Sequence, residues 1–280
     1  MTTTALLGTG LLGAGMVENL LAKGHVVRIW NRSRDKLAPL VAKGATAAAD
    51  PAEAVRGASR VHLVLAEDSA VDAVIAQLRP GLGRDVPVID HSTNLPAKVK
   101  ARFEELRKAG VRYLPAPVFM SPQNAREASG MMLLAGPTAE AKALDKDLSA
   151  MTGKLWHTGE RSDLAAVFKL AGNSMYFALT GAMSDVLAIG AGSDVSAEVM
   201  LSLFDVFKPG GALPFIGQRI AKADLGPASF ELTMARKDAR LMQEAASKAR
   251  VVLLPAIAAA MDRGIARGQG AADFAMFTRA

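Results

Sequence analysis

The chain contains no cysteine, which excludes disulfides, thiolate metal sites and cysteine nucleophiles. Its four histidines, His25, His62, His91 and His157, stand singly, without the short spacing of a metal-ligand pair. No metal site is expected. Aromatic residues make up only 5% of the chain, too few for a surface on which single-stranded nucleic acid would stack. The net charge of +6 is spread rather than gathered into a run. It suits an anionic cofactor and acidic substrates, and no nucleic-acid partner is expected. Met1-Thr2-Thr3-Thr4 lacks the basic start of a secretory signal. One stretch, Leu164–Ser184, approaches the length of a membrane span, but Lys169, Asn173 and two glycines interrupt it. It reads as a buried helix in a soluble, cytoplasmic protein with no membrane partner.

What is present is organised around the N-terminus. A short apolar run ends at Gly8, and Gly8-Thr9-Gly10-Leu11-Leu12-Gly13 follows at once, opening a helix from Leu11 to Lys23. A strand, a G-x-G-x-x-G turn and a helix form the dinucleotide-binding fingerprint. Gly8 permits the tight turn, Gly10 lets the backbone approach a pyrophosphate, and Gly13 lets helix and strand pack closely. The helix N-terminus offers N–H groups and a positive dipole end to phosphates.

A second strand, Val26–Trp30, completes a βαβ start. An NAD site would carry an acid at its end; here stand Asn31-Arg32-Ser33-Arg34 and then Lys36. An acid would repel a 2′-phosphate, whereas Asn31, Arg32 and Ser33 can hydrogen-bond it and Arg32 can pair with its charge. The bland alternative is a solvated basic loop. NADP(H) is expected over NAD(H).

Up to about residue 158, apolar runs alternate with helical patterns, indicating a mainly parallel sheet covered by helices on both faces. Strands are predicted at 45–47, 60–65, 85–90, 111–115, 131–135 and 154–157, and helices at 51–57, 69–78 and 95–109. Beyond residue 160 only helices are predicted, at 161–192, 195–207, 229–248 and 254–267. Residues 1–160 therefore read as a dinucleotide-binding α/β domain and 161–280 as an all-α domain. Binding sites in such sheets lie at the carboxyl ends of the strands. Leu65-Ala66-Glu67-Asp68, Asp90-His91-Ser92-Thr93 and the stretch from Pro115 to Pro122 arrive there. The Ser92 and Thr93 hydroxyls either bond a ribose or substrate, or cap the helix near Leu95.

Lys169 is the one charged side chain in Leu164–Ser184. Burying an ammonium is costly, so such a site either lets the amine reach water or exploits its shifted acidity. Asn173, four residues on, lies on the same helix face. An ammonium and an amide side by side can stabilise and protonate the oxygen of a carbonyl under hydride attack. The alternative is a lysine whose stem packs on apolar neighbours while its head reaches solvent.

Together these residues resemble the β-hydroxyacid dehydrogenase family. The glycine turn continues as Met16-x-x-Asn19-Leu20, then Gly24-His25 and Asn31-Arg32-Ser33. Asp90-x-Ser92-Thr93-x-x-Pro96, Lys169-x-x-x-Asn173, Lys237-Asp238 and Gly268-x-Gly270-x-x-Asp273 follow in the family's order. The resemblance implies a Rossmann-type doubly wound sheet joined by a long helix to an all-α domain, with the active site in the cleft between them. It implies a homodimer or homotetramer through the helical domain. The expected activity is NADPH-dependent reduction of a small aldehyde or 2-oxo acid, or oxidation of the matching hydroxy acid. Lys169 is the implied general acid/base and Asn173 the substrate-holding amide. Leu65, Ala66, Glu67, Val71, Thr93 and Lys237 join the glycine turn, with its Thr9, Leu11 and Leu12, and Asn31, Arg32, Ser33 and Lys36 at the cofactor. Ser92 is expected at the substrate.

The pattern departs from the family in two places. Where the family carries a serine and two glycines to clamp a substrate carboxylate, this chain has Phe119, Met120 and Ser121. Phe119 removes a donor. Either Ser121 substitutes as the donor, or the substrate carries an apolar group or no carboxylate. Ala165 stands where the family has glycine, which alters helix packing without disabling Lys169. Two further readings remain open: an imine reductase, which shares the fold but places Asp or Tyr at the lysine position, and a non-catalytic NADP(H)-binding or chromatin-associated protein.

Overall fold

The computed structural model describes residues 3–222 and 225–279. Its contacts divide the chain into two compact units, Met1–Asn173 and Ser174–Ala280.

In the first unit the elements run β1 (Thr3–Leu7), α1 (Leu11–Ala22), β2 (Val26–Trp30), α2 (Ala38–Val41), β3 (Thr46–Ala47), α3 (Pro51–Val55), β4 (Arg60–Leu63) and α4 (Asp68–Leu78). Then come β5 (Val88–Asp90), α5 (Pro96–Lys108), β6 (Tyr113–Pro115), β7 (Val118–Phe119), α6 (Pro122–Glu127), β8 (Met131–Ala135), α7 (Thr138–Ser149) and β9 (Lys154–Gly159). Among the described residues, six strands form one sheet in the order β3-β2-β1-β4-β5-β6, with every pairing parallel. Leu7 is in register with Trp30 on one side and with Leu63 on the other. The chain therefore leaves β1 in one direction and resumes on its opposite side at β4. That reversal opens a crevice above the carboxyl end of β1, where ligands bind in sheets of this kind.

Side chains of one strand alternate between two cores. Leu6, Ile29 and Ile89 pack with Met16, Val17 and Leu20 of α1. Ala5, Leu7, Val61 and Leu63 pack with Val55, Val71, Ile75 and Leu78. Both faces are apolar because helices cover both.

The strands predicted at 131–135 and 154–157 do not extend this sheet. They form a separate sheet in the order β7-β8-β9, with β7 antiparallel to β8 and β9 parallel to it. Sequence pattern missed β7 and α6, because prolines at 115, 117 and 122 obscure a two-residue strand and a one-and-a-half-turn helix. It also missed α7, where Leu144 and Leu148 are the only large apolar side chains among alanines and charged residues.

The long helix α8 (Leu164–Gly192) begins in the first unit and continues in the second. Its start belongs to the first unit for a packing reason. Ala165 is fully buried against Leu133 and Ala135, and the Phe168 ring stacks on Trp156 with centroids 5.2 Å apart. The change of pattern at residue 160 thus precedes the division of the contacts, and Lys169 and Asn173 fall in the first unit.

The second unit holds the rest of α8 with α9 (Ala197–Val206), α10 (Leu213–Ala221), α11 (Leu232–Ala246) and α12 (Leu254–Ala266). α10 went unpredicted because Pro209, Gly210, Gly211 and Pro214 break its approach. Asp185 of α8 accepts the N–H groups of Val252, Leu253 and Leu254, capping α12 from a distance. Leu232, Ala235, Ala239, Ala258 and Met261 form the core of α11 and α12. The expectation of a buried α8 needs correction: its most apolar window is only 17% buried. Tyr176 and Phe177 are 65% and 75% exposed.

Candidate active site

The glycine turn divides its labour as its atoms require. Gly8 has φ +101°, and a Cβ on it would lie 2.1 Å from the Val64 carbonyl oxygen. A Cβ on Gly13 would lie 2.0 Å from the Gly8 carbonyl oxygen. Both glycines are therefore fixed by the packing of strand, turn and helix. Gly10 differs, because a Cβ there would meet nothing within 4 Å. Its missing side chain leaves backbone open toward the crevice. Gly10 is also the N-cap of α1, and no side chain caps that terminus. The residues present thus fit a pyrophosphate at an uncapped helix start.

A crevice of about 500 Å³ opens there. Of the residues expected at the cofactor, Gly8, Gly10, Leu11, Leu12, Gly13, Asn31, Arg32, Ser33, Lys36, Leu65, Ala66 and Glu67 line it. Ala70, Ala73, Val74 and Gln77 line it too and went unpredicted. They occupy one face of α4 at i, i+3, i+4 and i+7, a spacing that reads equally as core-facing. Four expected residues, Thr9, Val71, Thr93 and Lys237, are not on the wall. Val71 is fully buried in the core beneath. Thr9 is 4% exposed, and its N–H donates to Asn31 Oδ1 at 3.0 Å. Asn31 in turn donates from Nδ2 to the Ser33 carbonyl at 2.9 Å. Its amide therefore ties the turns after β1 and β2 together, and the groups left facing the crevice at the end of β2 are Arg32, Ser33 and Lys36. Neither Arg32 nor Lys36 has an ion-pair partner among the described residues.

The loop after β5 is held from below. The buried Asp90 carboxylate accepts from the Ser92 N–H at 2.9 Å, Asn94 Nδ2 at 2.8 Å and the Tyr113 hydroxyl at 2.6 Å. Arg102 of α5 reaches Tyr113 and pairs with Asp68 and Asp72 of α4. The Asp68 carboxylate also accepts the Leu95 N–H at 2.9 Å. Burial raises the Asp90 carboxyl above its ordinary range, against the pull of these donors. The Ser92 hydroxyl accepts the Leu65 N–H at 2.9 Å, so it locks the β4 and β5 loops instead of capping a helix. Thr93 is exposed at the tip of that loop, outside the wall of the crevice.

On α8, Lys169 Nζ donates to Asn173 Oδ1 at 3.0 Å. Burial lowers the pKa of the ammonium from the ordinary lysine value, making it a readier proton donor. Nζ also lies 4.5 Å from the centroid of the Phe119 ring, a cation–π distance. The next two residues of the expected substrate loop are occupied otherwise. Ser121 is the N-cap of α6: its hydroxyl accepts the Asn124 N–H while Asn124 Oδ1 accepts the Ser121 N–H, a reciprocal capping box. Met120 is partly buried against the core beneath α1.

Residues 3–159 match the family model of the NAD binding domain of 6-phosphogluconate dehydrogenase. The chain belongs to the β-hydroxyacid dehydrogenase family. It is an NAD(P)-dependent oxidoreductase. Among relatives, the 3-sulfolactaldehyde reductase of Escherichia coli (strain K12) is 29% identical over 90% of this chain and 85% of its own. Glyoxylate/succinic semialdehyde reductase 1 of Arabidopsis thaliana is 27% identical over 96% of this chain and 94% of its own. An imine reductase from Pseudomonas sp. superposes with a TM-score of 0.87 at 19% identity, covering 99% of this chain and 98% of that one. At that identity the likeness speaks for the fold alone.

The dehydrogenase motifs of the second unit are placed less directly at chemistry. Lys237 lies on α11, where it pairs with its neighbour Asp238 at 2.9 Å. Asp273 of the C-terminal signature is 1% exposed. It accepts from the Ser229 N–H and hydroxyl and from the Ala275 N–H, and pairs with Arg219 at 2.7 Å. It is a structural anchor for the end of this helical unit.

Proposed function

We propose that the protein is an NADPH-dependent reductase of a small carbonyl compound, an aldehyde or a 2-oxo acid, with Lys169 as its proton donor. The observation that carries this reading is the hydrogen bond from Lys169 Nζ to Asn173 Oδ1, at 3.0 Å, on an otherwise apolar helix face. When bound, the dihydronicotinamide supplies a hydride to the carbonyl carbon. The π electrons then collect on oxygen, which takes the Lys169 proton and leaves the product as an alcohol. Asn173 holds the ammonium by accepting one of its protons, and its own N–H groups remain to donate to a substrate oxygen. In the reverse direction the neutral amine takes the proton from a hydroxy acid.

The preference for NADPH rests on Arg32, Ser33 and Lys36 along the crevice and on an asparagine in place of an acid after β2. A carboxylate there would accept a ribose 2′-hydroxyl and repel a phosphate. A second copy of the chain is the proposed cover for the exposed apolar side chains of the second unit, Tyr176, Phe177, Val206 and Phe215 among them. Homo-oligomerisation through the helical part, and a cytoplasmic location, belong to the same proposal.

The test is nucleotide oxidation at 340 nm with aldehydes, 2-oxo acids and a cyclic imine, NADPH beside NADH. Turnover of a carbonyl compound with NADPH favoured is expected. Turnover of the imine alone would replace carbonyl reduction by imine reduction. NADPH binding without turnover of any of these would remove the reductase reading.

A further inference from the structure

The wall beside Lys169 is aromatic, and the helix is cut away to receive it. Besides standing over Lys169 Nζ, the Phe119 ring lies directly on Gly172: a Cβ there would sit 2.3 Å from ring Cζ and 2.7 Å from Cε1. Any side chain at residue 172 would therefore displace the ring from the lysine. The ring also packs against the buried cluster of Leu133, Ala135 and Ala165. The polar groups that follow it in sequence are turned away, because the N–H and hydroxyl of Ser121 are engaged by Asn124.

An anion held beside the reacting carbonyl needs donors. The Phe119–Ser121 segment offers instead the negative face of a ring. Lys169 is the cation within reach, and a carboxylate that took it would draw the proton donor away from the carbonyl oxygen. An uncharged alkyl group on the same carbon would pack on the ring and leave the ammonium directed at that oxygen. We infer that Phe119 is a specificity-determining residue that selects carbonyl compounds bearing an uncharged, apolar substituent over those whose carbonyl adjoins a carboxylate. The inference rests on the reductase reading above and narrows its substrate class.

Glyoxylate and isobutyraldehyde form a matched pair, since carboxylate and isopropyl have similar branching and differ in charge. The experiment measures kcat/KM for both at saturating NADPH in the wild type, Phe119→Ser and Phe119→Leu, with NADPH affinity recorded for each. The wild type is expected to prefer isobutyraldehyde by about tenfold or more, the range a pocket side chain commands. Phe119→Ser should shift the ratio toward glyoxylate by about tenfold, and Phe119→Leu, which keeps the apolar volume, should hold it within about threefold. A wild-type preference for glyoxylate overturns the inference even if Phe119→Ser does not fold, and so does an unchanged ratio in a folded Phe119→Ser. If that glyoxylate turnover is lost in Lys169→Ala, the reductase reading survives on its own. No turnover of either aldehyde overturns the inference, and the reductase reading falls with it only if the wider panel of carbonyl compounds is inert too.

Discussion

Lys169 and Asn173 are joined by a 3.0 Å hydrogen bond one turn apart on α8. The bond fixes the ammonium on a half-buried helix face where burial already weakens its hold on the proton. A lysine that merely packs its stem and reaches for water has no use for such a partner. The pairing gives the proton a defined position, which general acid catalysis requires.

The glycine turn separates folding from binding. Gly10→Ala adds a Cβ into open space, so stability should stay within about 1 kcal/mol of the wild type, the scale of a changed N-cap. NADPH affinity should fall by about tenfold or more, because that Cβ occupies the approach to the phosphates. Gly13→Ala should instead destabilise the fold by about 1–3 kcal/mol or more, since its Cβ would overlap the Gly8 carbonyl. Urea melts and nucleotide titration of the two variants check this. Equal loss of affinity at unchanged stability in both would contradict it.

Nucleotide choice should follow Arg32. A hydrogen bond to a charged group contributes about 1.5–3 kcal/mol. Arg32→Ala should therefore weaken NADPH binding by about 10- to 100-fold and leave NADH binding nearly unchanged. A parallel loss for both nucleotides would show that Arg32 does not face the 2′-phosphate.

Stability should depend on pH through a buried histidine pair. His91 donates from Nδ1 to the Ala116 carbonyl at 2.7 Å, so its Nε2 accepts from His62 Nδ1 at 2.8 Å. Both rings are neutral in this arrangement, and His62 Nε2 is buried without a partner. Burial pushes His91 from 6.5 down to about 4 and His62 well below its ordinary value. The unfolded chain then binds more protons than the folded one on the acid side of 6.5. The pair's contribution is complete above pH 6.5 and is lost as pH falls toward 4, by on the order of 3 kcal/mol for His91 alone. Asp90, raised by burial, acts in the opposite sense on acidification. Comparison with His91→Asn isolates the histidine effect: urea melts between pH 7 and 5 should show a flatter pH slope in the variant. Equal pH slopes in the wild type and His91→Asn would contradict the assignment of neutral rings.

The parts of the fold written in local pattern are legible in the sequence. β2 and β8 fall where their apolar runs place them, and the order of strand, glycine turn and helix at residues 3–22 located the cofactor crevice. What escaped was decided by distant contacts. Asn31 was expected at a phosphate, yet its amide links Thr9 to Ser33, a use set by how two turns meet. Ser121 was a candidate substrate donor, and only its reciprocal bonds with Asn124 show that it caps α6 instead. Val71 directly follows Ala70, and that one step round α4 carries it from the crevice wall to the buried side. The exposure of α8 beyond Asn173 could not be read from a sequence whose apolar residues suit a core and an intersubunit face equally well.

The most direct test of the account is single-turnover oxidation of NADPH by wild type and Lys169→Ala, with NADPH affinity measured separately. The rate of carbonyl reduction should fall by about 10²- to 10⁴-fold with nucleotide affinity preserved, as for removal of a general acid. An undiminished rate in Lys169→Ala would contradict it and return Lys169 to the role of a packed surface lysine.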